Sequence, residues 1–494
     1  MDHYGIWSLL PPLVAILLAI KTRQVFISLF LGVWIGWVLI NDWNFFTGTL
    51  ASIEALVNVF KEPGNTRTIM FSSLVGALIA FIQRSGGVDG FIRYINRFLQ
   101  YIEKRHAGNS RRVVELLAWA TGVIIFVESS INVLTVGSIF RPIFDRMKIP
   151  REKLAYIADS ISAPTCILIP MNAWGAYIMG LLLAQGLKDP FNIMIHAYPL
   201  NFYPFLAMGA VLLVIILQKD IGPMKKAEER AIKEGKVIAD NAVPMMSNEV
   251  VSLQKKEGVL PKARNMIIPI ATMVLMMPIG LIYSGWQQLS STQGKPFLEL
   301  LFEAIGKGSG SQAVLWAVLT ALLVAAILYR SQKIFKLQEL MDLLFKGIGG
   351  LIPLALLMML AFAIGQLCRE LGTGIYVADL AKNWLSPHFV PVIIFLVACF
   401  IAFSTGTSWG TFAIMMAIAV PMAQAMDVSI PLAVGAVLGG GVFGDHCSPI
   451  SDTTIISSMA SASDHIDHVK TQLPYALLAG AVAALMYLVL GLLS

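Results

Sequence analysis

The residues with the most chemical promise lie in one short run, Gly444-Asp-His-Cys-Ser-Pro-Ile-Ser-Asp-Thr-Thr454. Asp445 and Asp452 stand seven apart with Pro449 between them, and Ser448, Ser451, Thr453 and Thr454 add hydroxyls. Carboxylates, hydroxyls and freed backbone carbonyls are hard oxygen donors, suited to a small hard cation, whereas soft metals prefer His and Cys. Three more polar clusters interrupt apolar stretches: Glu128-Ser-Ser-Ile-Asn132, Asp159 with Pro164, Pro170 and Asn172, and Ser404-Thr-Gly-Thr-Ser-Trp-Gly-Thr411. An acid at membrane depth costs at least a few kcal/mol and is a functional candidate by default. Asp445, Asp452, Asp159 and Glu128 therefore read as cation- or proton-binding acids, with Na+ expected at Asp445 and Asp452. Ser448, Thr453, Asn132 and Asn172 would complete the oxygen shell. Ser404, Thr405, Thr407 and Ser408 read as a hairpin tip that meets the substrate. Helix capping is the competing role for the aspartates.

Each acid is expected at a backbone break. Gly439, Gly440, Gly441 and Gly444, with Pro449 and Pro164, read as hinges or points of close backbone approach. Trp174 and Trp409 are expected to pack beside the site. Asp445-His446-Cys447-Ser448 holds the residue types of a nucleophilic catalyst, but catalytic groups meet in space rather than as sequence neighbours. No GxSxG or HExxH motif accompanies it, so the chain reads as no enzyme. His446 reads first as a packing or hydrogen-bonding side chain, with tuning of a response near neutral pH as its alternative role.

The elements that must position these residues follow from composition. Of 494 residues, 57% are hydrophobic and only 13% charged, and mean hydropathy is +0.73. Soluble domains carry about 25% charge, so a soluble enzyme and a disordered chain are both excluded. Long apolar runs, rather than short alternating segments, favour membrane helices over a barrel. Eight simple spans are expected: 6–20, 25–40, 68–83, 191–217, 265–284, 312–329, 347–367 and 473–493. Stretches 113–140 and 390–426 are too long and too polar at their centres for one crossing, and read as re-entrant hairpins. Stretches 154–187 and 431–462 read as broken helices. Polar backbone of this kind survives at membrane depth only when buried in protein or lining a wet cavity. The segments around 91–101 and 334–344 are amphipathic and read as lying at the membrane surface or bracing moving parts. The four cysteines form no CxxC pair, and no cofactor is implied.

Charge tests the hairpins. With the N-terminus outside, all but seven of the 36 Lys and Arg fall on the inner side; the exceptions are Lys61, Arg67, Lys188, Lys295, Lys307, Arg369 and Lys382. This positive-inside bias needs 113–140 to return to its starting side, because a single crossing would put Arg141, Arg146, Lys148, Arg151 and Lys153 outside. The net charge of +6 is then a loop property and not a nucleic-acid signal. The same order of elements recurs with opposite orientation, which gives an all-α polytopic membrane protein of two inverted repeats, each with a re-entrant hairpin and a broken helix. Residues 1–217 form the first repeat, 218–263 a charged cytoplasmic linker and 264–494 the second repeat. Inverted repeats with discontinuous helices are the build of secondary transporters.

The run 444–454 followed by Ile455-Ile-Ser-Ser458 resembles the signature of the NhaC-type sodium/proton antiporter family. Phe403–Thr411 resembles that family's preceding motif, and Asp159 through Trp174-Gly-Ala-Tyr177 its first-half counterpart. The resemblance implies an inner-membrane carrier of the ion-transporter superfamily, usually dimeric, in which a transport domain slides against a scaffold like an elevator. Na+ and H+ are the expected transported ions and membrane lipid the surroundings. The family also contains malate/lactate antiporters and carriers of amino acids. The expected function is Na+/H+ antiport, with Na+- or H+-coupled transport of a small carboxylate or amino acid as the alternative.

Overall fold

The computed structural model describes residues 3–22, 24–91, 93–94, 110–126, 129–170, 172–244, 256–289, 297, 300–301, 304–305, 308–381 and 385–493. Regular structure among them is helical: α1 (Leu10–Thr22), α2 (Val25–Ile40), α3 (Phe45–Asn58), α4 (Pro63–Arg84), α5 (Ser110–Ile124), α6 (Ser129–Arg146), α7 (Arg151–Leu168), α8 (Ala173–Ala184), α9 (Pro190–Ala197) and α10 (Phe202–Leu217). The second half holds α11 (Gly222–Glu234), α12 (Arg264–Trp286), α13 (Gly310–Ser331), α14 (Leu337–Glu370), α15 (Thr373–Ala381), α16 (Val390–Thr405), α17 (Ser408–Ala425), α18 (Ile430–Cys447), α19 (Asp452–Ser461) and α20 (His465–Leu493). Among the described residues, nine helices are long and apolar enough to cross a membrane. The chain is a multi-pass membrane protein.

Two bodies emerge from the packing. In one, α4 and α14 lie together, flanked by α1–α3, α12 and α13. In the other, α5–α7, α10, α16 and α18–α20 pack on one another, while α8, α9 and α17 run between the two. Close contact in the first body depends on Gly76 and Gly347, where a Cβ on either residue would strike the other's carbonyl oxygen.

Both hairpins are present. Arg111, near the start of α5, donates to the Lys148 carbonyl just beyond α6 at 3.2 Å, so the legs run back to one end. The α16–α17 hairpin turns at Gly406, whose φ of 68° is left-handed. Both interrupted helices are present too. α7 and α8 meet at 49° across residues 169–172, and α18 gives way to α19 across 448–451.

Several expectations need correction. Stretch 191–217 is not one span: Pro199 sits in a 3-10 turn, 198–200, that separates α9 from α10. Most of segment 334–344 is the start of α14, which runs unbroken for 34 residues from Leu337. Pro164 is not a hinge and Asp159 is not at a break; both lie inside α7, which continues to Leu168. Proline removes one helical hydrogen bond, and α7, buried along nearly its whole length, absorbs that loss. Gly439, Gly440, Gly441 and Gly444 lie inside α18 and are not hinges. A Cβ on Gly440 or Gly444 would strike the carbonyl of Phe395 or Cys399 on α16, so these glycines let two helix backbones touch. Amphipathic α3 was not foreseen. Residues 95–101 lie outside the described set.

The described part of the charged segment, 218–244 and 256–263, is more ordered than its composition suggests. Its helix α11 buries Met224, Ala227, Glu228 and Ala231 and packs on α7 and α20. Lys153, 2% exposed, reaches Glu228 at 2.8 Å, Asp220 at 2.9 Å and Glu115 at 3.4 Å. Arg111 also pairs with Glu228. At the far end of the segment, Lys256 pairs with Glu339 of α14 at 2.6 Å.

Candidate cation and proton site

Asp445 lies in the last turn of α18, where unpaired carbonyls give the helix end partial negative charge. It is 2% exposed. Its Oδ2 accepts from Ser408 Oγ at 2.9 Å. Ser408 is the first residue of α17, so the carboxylate faces a helix N-terminus, which favours its charge. Ser448 Oγ donates to the Phe403 carbonyl at 2.8 Å, a second tie between the interruption and the hairpin tip. Thr453 Oγ1 lies 3.0 Å from Ser451 Oγ, and both hydroxyls are buried. Among the described residues, the buried carboxylate is thus met by one hydroxyl, from Ser408, while the hydroxyls of the interruption itself bond to the hairpin tip and to one another. The Asp452 side chain lies outside the described residues, as does Glu128.

A second polar cluster surrounds Asp159, 1% exposed at the middle of α7. Its Oδ2 accepts from Gln472 Nε2 at 2.8 Å and Thr454 Oγ1 at 3.0 Å. His468 Nε2 lies 3.9 Å and His446 Nε2 4.0 Å from the same oxygen. His446 is held between Tyr203 OH at 2.6 Å and Ser160 Oγ at 3.0 Å. Four helices, α7, α18, α19 and α20, therefore supply one buried network in which a carboxylate is met by hydroxyl, amide and imidazole groups.

The other expected residues have local duties. Asn172 caps α8, accepting from the Trp174 and Gly175 amides at 2.9 and 3.1 Å, and donates to the Phe126 and Cys166 carbonyls. It pins the α5–α6 turn to the α7–α8 interruption, as Ser448 does for the other hairpin. Asn132 donates to the Gly122 and Ile125 carbonyls at 2.7 and 2.9 Å, while its buried Oδ1 has no hydrogen-bond partner among the described residues. Thr405 spends its hydroxyl on the Ile401 carbonyl. Thr407 is the N-cap residue of α17 and makes no side-chain cap bond, Ser404 is half-buried, and the Pro449 carbonyl accepts from His465. Trp174, Tyr177 and Trp409 pack together with ring centroids 4.7–4.9 Å apart.

Tyr203, Ser160, His468 and Gln472 were missed as site residues. The signal was faint: His468 and Gln472 lie four apart, on one face of a helix start, and the apolar run after them drew the span boundary past them.

The sequence profile of the Na+/H+ antiporter family matches residues 165–492. The chain belongs to the Na+/H+ antiporter family. An uncharacterized protein of Haemophilus influenzae is 33% identical over 99% of this chain and 91% of its own length. The malate-2H+/Na+-lactate antiporter of Bacillus subtilis is 30% identical over 23% of this chain and 28% of its own. The arginine/ornithine antiporter ArcD of Halobacterium salinarum is 32% identical over 31% of this chain and 32% of its own. The fold is similar to the YdaH transporter of Alcanivorax borkumensis, with a TM-score of 0.56, 15% identity, and coverage of 90% of this chain and 88% of that one. For this antiporter-family member, Asp445 and Asp159 become the acids whose occupancy needs a functional account.

Proposed function

We propose that this protein exchanges Na+ for H+ across the cell (inner) membrane, with Na+ held at Asp445 and the proton taken by Asp159. The observation that carries this reading is the pair of buried acids on adjoining helices. Asp445 faces Ser408 at the hairpin tip, and Asp159 lies 4.0 Å from the imidazole of the residue next to it, His446. Dehydration disfavours a bare carboxylate and a nearby cation or proton relieves it. A proton gained at Asp159 removes a negative charge close to the Asp445 site and weakens its hold on Na+. Reciprocity requires Na+ to weaken the proton in turn. The body bearing α7, α16 and α18–α20 then crosses readily with either load. The matching use of Asn172 and Ser448, each tying a hairpin tip to an interruption, supports reading the chain as two related, inverted halves. The clustering of Lys and Arg supports an inner face that carries α11.

The test is a proteoliposome assay with an internal pH dye. An imposed Na+ gradient is expected to drive protons the opposite way, and Asp445→Asn to abolish this. No proton movement in the wild type would sink the proposal.

One observation favours an organic cargo as a second reading. At the α4 end remote from Arg84, a cleft of about 650 Å³ is lined by Lys61, Lys188 and Arg369, one acid, Glu62, and the amides of Asn58, Asn65 and Gln366. With three cations to one carboxylate, such a mouth favours carboxylates over Na+. Na+-dependent uptake of labelled malate, lactate or arginine, reduced by Arg369→Ala, would establish it over simple Na+/H+ exchange.

A further inference from the structure

Asp159 is buried, so a proton must reach it through the protein, and the hydrogen bonds around α19 and α20 mark a route. Gln472 fixes the positions of the hydrogens. Its amide nitrogen meets two acceptors, Asp159 Oδ2 at 2.8 Å and the His446 carbonyl at 2.6 Å. Its oxygen is therefore the group that meets His468 Nε2 at 2.9 Å, and His468 Nε2 must carry a hydrogen. His465 Nε2 meets the Pro449 carbonyl at 2.6 Å, an acceptor only, so it carries a hydrogen as well.

Both remaining ring nitrogens converge on one hydroxyl. His465 Nδ1 is 3.0 Å and His468 Nδ1 2.9 Å from Ser458 Oγ. The Oγ of that serine, with its single hydrogen, is also 2.9 Å from the Thr454 carbonyl oxygen. With both imidazoles neutral, three acceptors compete for one hydrogen, and Ser458 is fully buried. One added proton ends the shortage. One Nδ1–H then donates to Ser458 Oγ, and the serine hydrogen turns to the other Nδ1.

We infer that His465, Ser458 and His468 form a proton relay between the linker-side surface and Asp159. His465 is partly exposed, and its neighbour Asp464 accepts the Val243 amide of the linker at 2.9 Å. In the first step the His465 Nδ1–H bond breaks as the proton joins Ser458 Oγ, and the serine's own hydrogen forms the His468 Nδ1–H bond. In the second, His468 Nε2–H breaks and the proton joins Asp159 Oδ2. No other charge changes. The second gap is 3.9 Å, so a shift of about 1 Å brings it to hydrogen-bond length.

The charged and titratable groups near the route are few. His468 faces Asp159, with His446 and Tyr203 on its far side. His465 has Asp464 beside it. Arg151 donates to the Ala462 carbonyl and pairs with Asp145, while Arg230 and Asp467 act on Glu152.

The relay serves the antiport reading and rests on it for its transport assay. Na+/Na+ exchange of isotope needs no proton and provides the control. Ser458→Ala, or His465→Gln at the more exposed end, is expected to slow Na+/H+ exchange at least tenfold and to leave Na+/Na+ exchange within twofold. Ser458→Thr should restore the coupled rate. Unchanged Na+/H+ exchange, or equal loss of both exchanges, overturns the relay. A second measurement is independent of cargo: ¹⁵N-histidine spectra, assigned with His465→Gln and His468→Gln, recorded against pH. The two rings should take up one shared proton in the wild type and titrate separately in Ser458→Ala; independent titration in the wild type overturns the relay. If the wild type moves no Na+ by either exchange, the antiport reading fails and the spectra alone decide the relay.

Discussion

Ser408 donates to Asp445 across 2.9 Å, joining the first residue of α17 to the last turn of α18. A buried hydrogen bond to a charged group contributes about 1.5–3 kcal/mol. If Asp445 holds Na+, Ser408→Ala should weaken the Na+ dependence of exchange about tenfold, whereas Asp445→Asn should abolish it. Initial rates against Na+ concentration distinguish the two. Equal, wild-type behaviour of both variants would remove Asp445 from the site.

Asp159→Asn keeps a hydrogen-bonding group of the same size between Thr454 and Gln472 but cannot ionise. Like the protonated acid it carries no charge, so it should lower the apparent Na+ affinity in a thermal-shift assay about fivefold or more, a loss of roughly 1 kcal/mol or greater, without abolishing Na+ stabilisation. Proton-coupled exchange should fall to background. Retained coupling would show that the proton is carried elsewhere.

Lys153 is the cation shared by Glu115, Asp220 and Glu228. Removing one partner of a buried ionic group costs about 3–5 kcal/mol, because the others are left uncompensated. Lys153→Met should lower the thermal midpoint in detergent sharply, and adding Glu115→Gln should recover part of the loss. An unshifted midpoint would mean that solvent reaches the cluster.

Gly444 lets α18 lie against the Cys399 carbonyl of α16. Overpacking a tight core costs about 1–3 kcal/mol, so Gly444→Val should lower the yield of monodisperse protein and its thermal midpoint. Gly349 meets nothing within 4 Å of an added Cβ, and Gly349→Ala serves as the neutral control.

Asp464 caps α20 by accepting the Ile466 and Asp467 amides, and it also accepts the linker's Val243 amide. Partial burial works against its charge, yet the three backbone donors hold its carboxyl below the usual carboxylate range. A depressed folded value means that its stabilisation is complete above the unfolded value of about 3.9 and is lost as pH falls through the folded one. Asp464→Asn should therefore lower the thermal midpoint at neutral pH but approach wild-type stability in strong acid. A constant offset across pH would contradict this.

The sequence determined the membrane class, the two hairpins and the two interruptions. These follow from local rules: apolar length, polar residues at the centres of long runs, and the side on which Lys and Arg collect. Local rules failed where packing overrode them. Pro164 marks no break because α7 is buried around it, and the α18 glycines serve contact with α16 rather than bending. Only the tertiary structure brought Asp159 to His446, His468 and Gln472, since these residues lie about 290–310 positions apart in the chain and no spacing rule links α7 to α20. It also docked α11, whose charges read as solvated until Lys153 was found buried against them. A buried polar group must find partners wherever the fold supplies them, and that requirement joins distant helices in a way no window of sequence records.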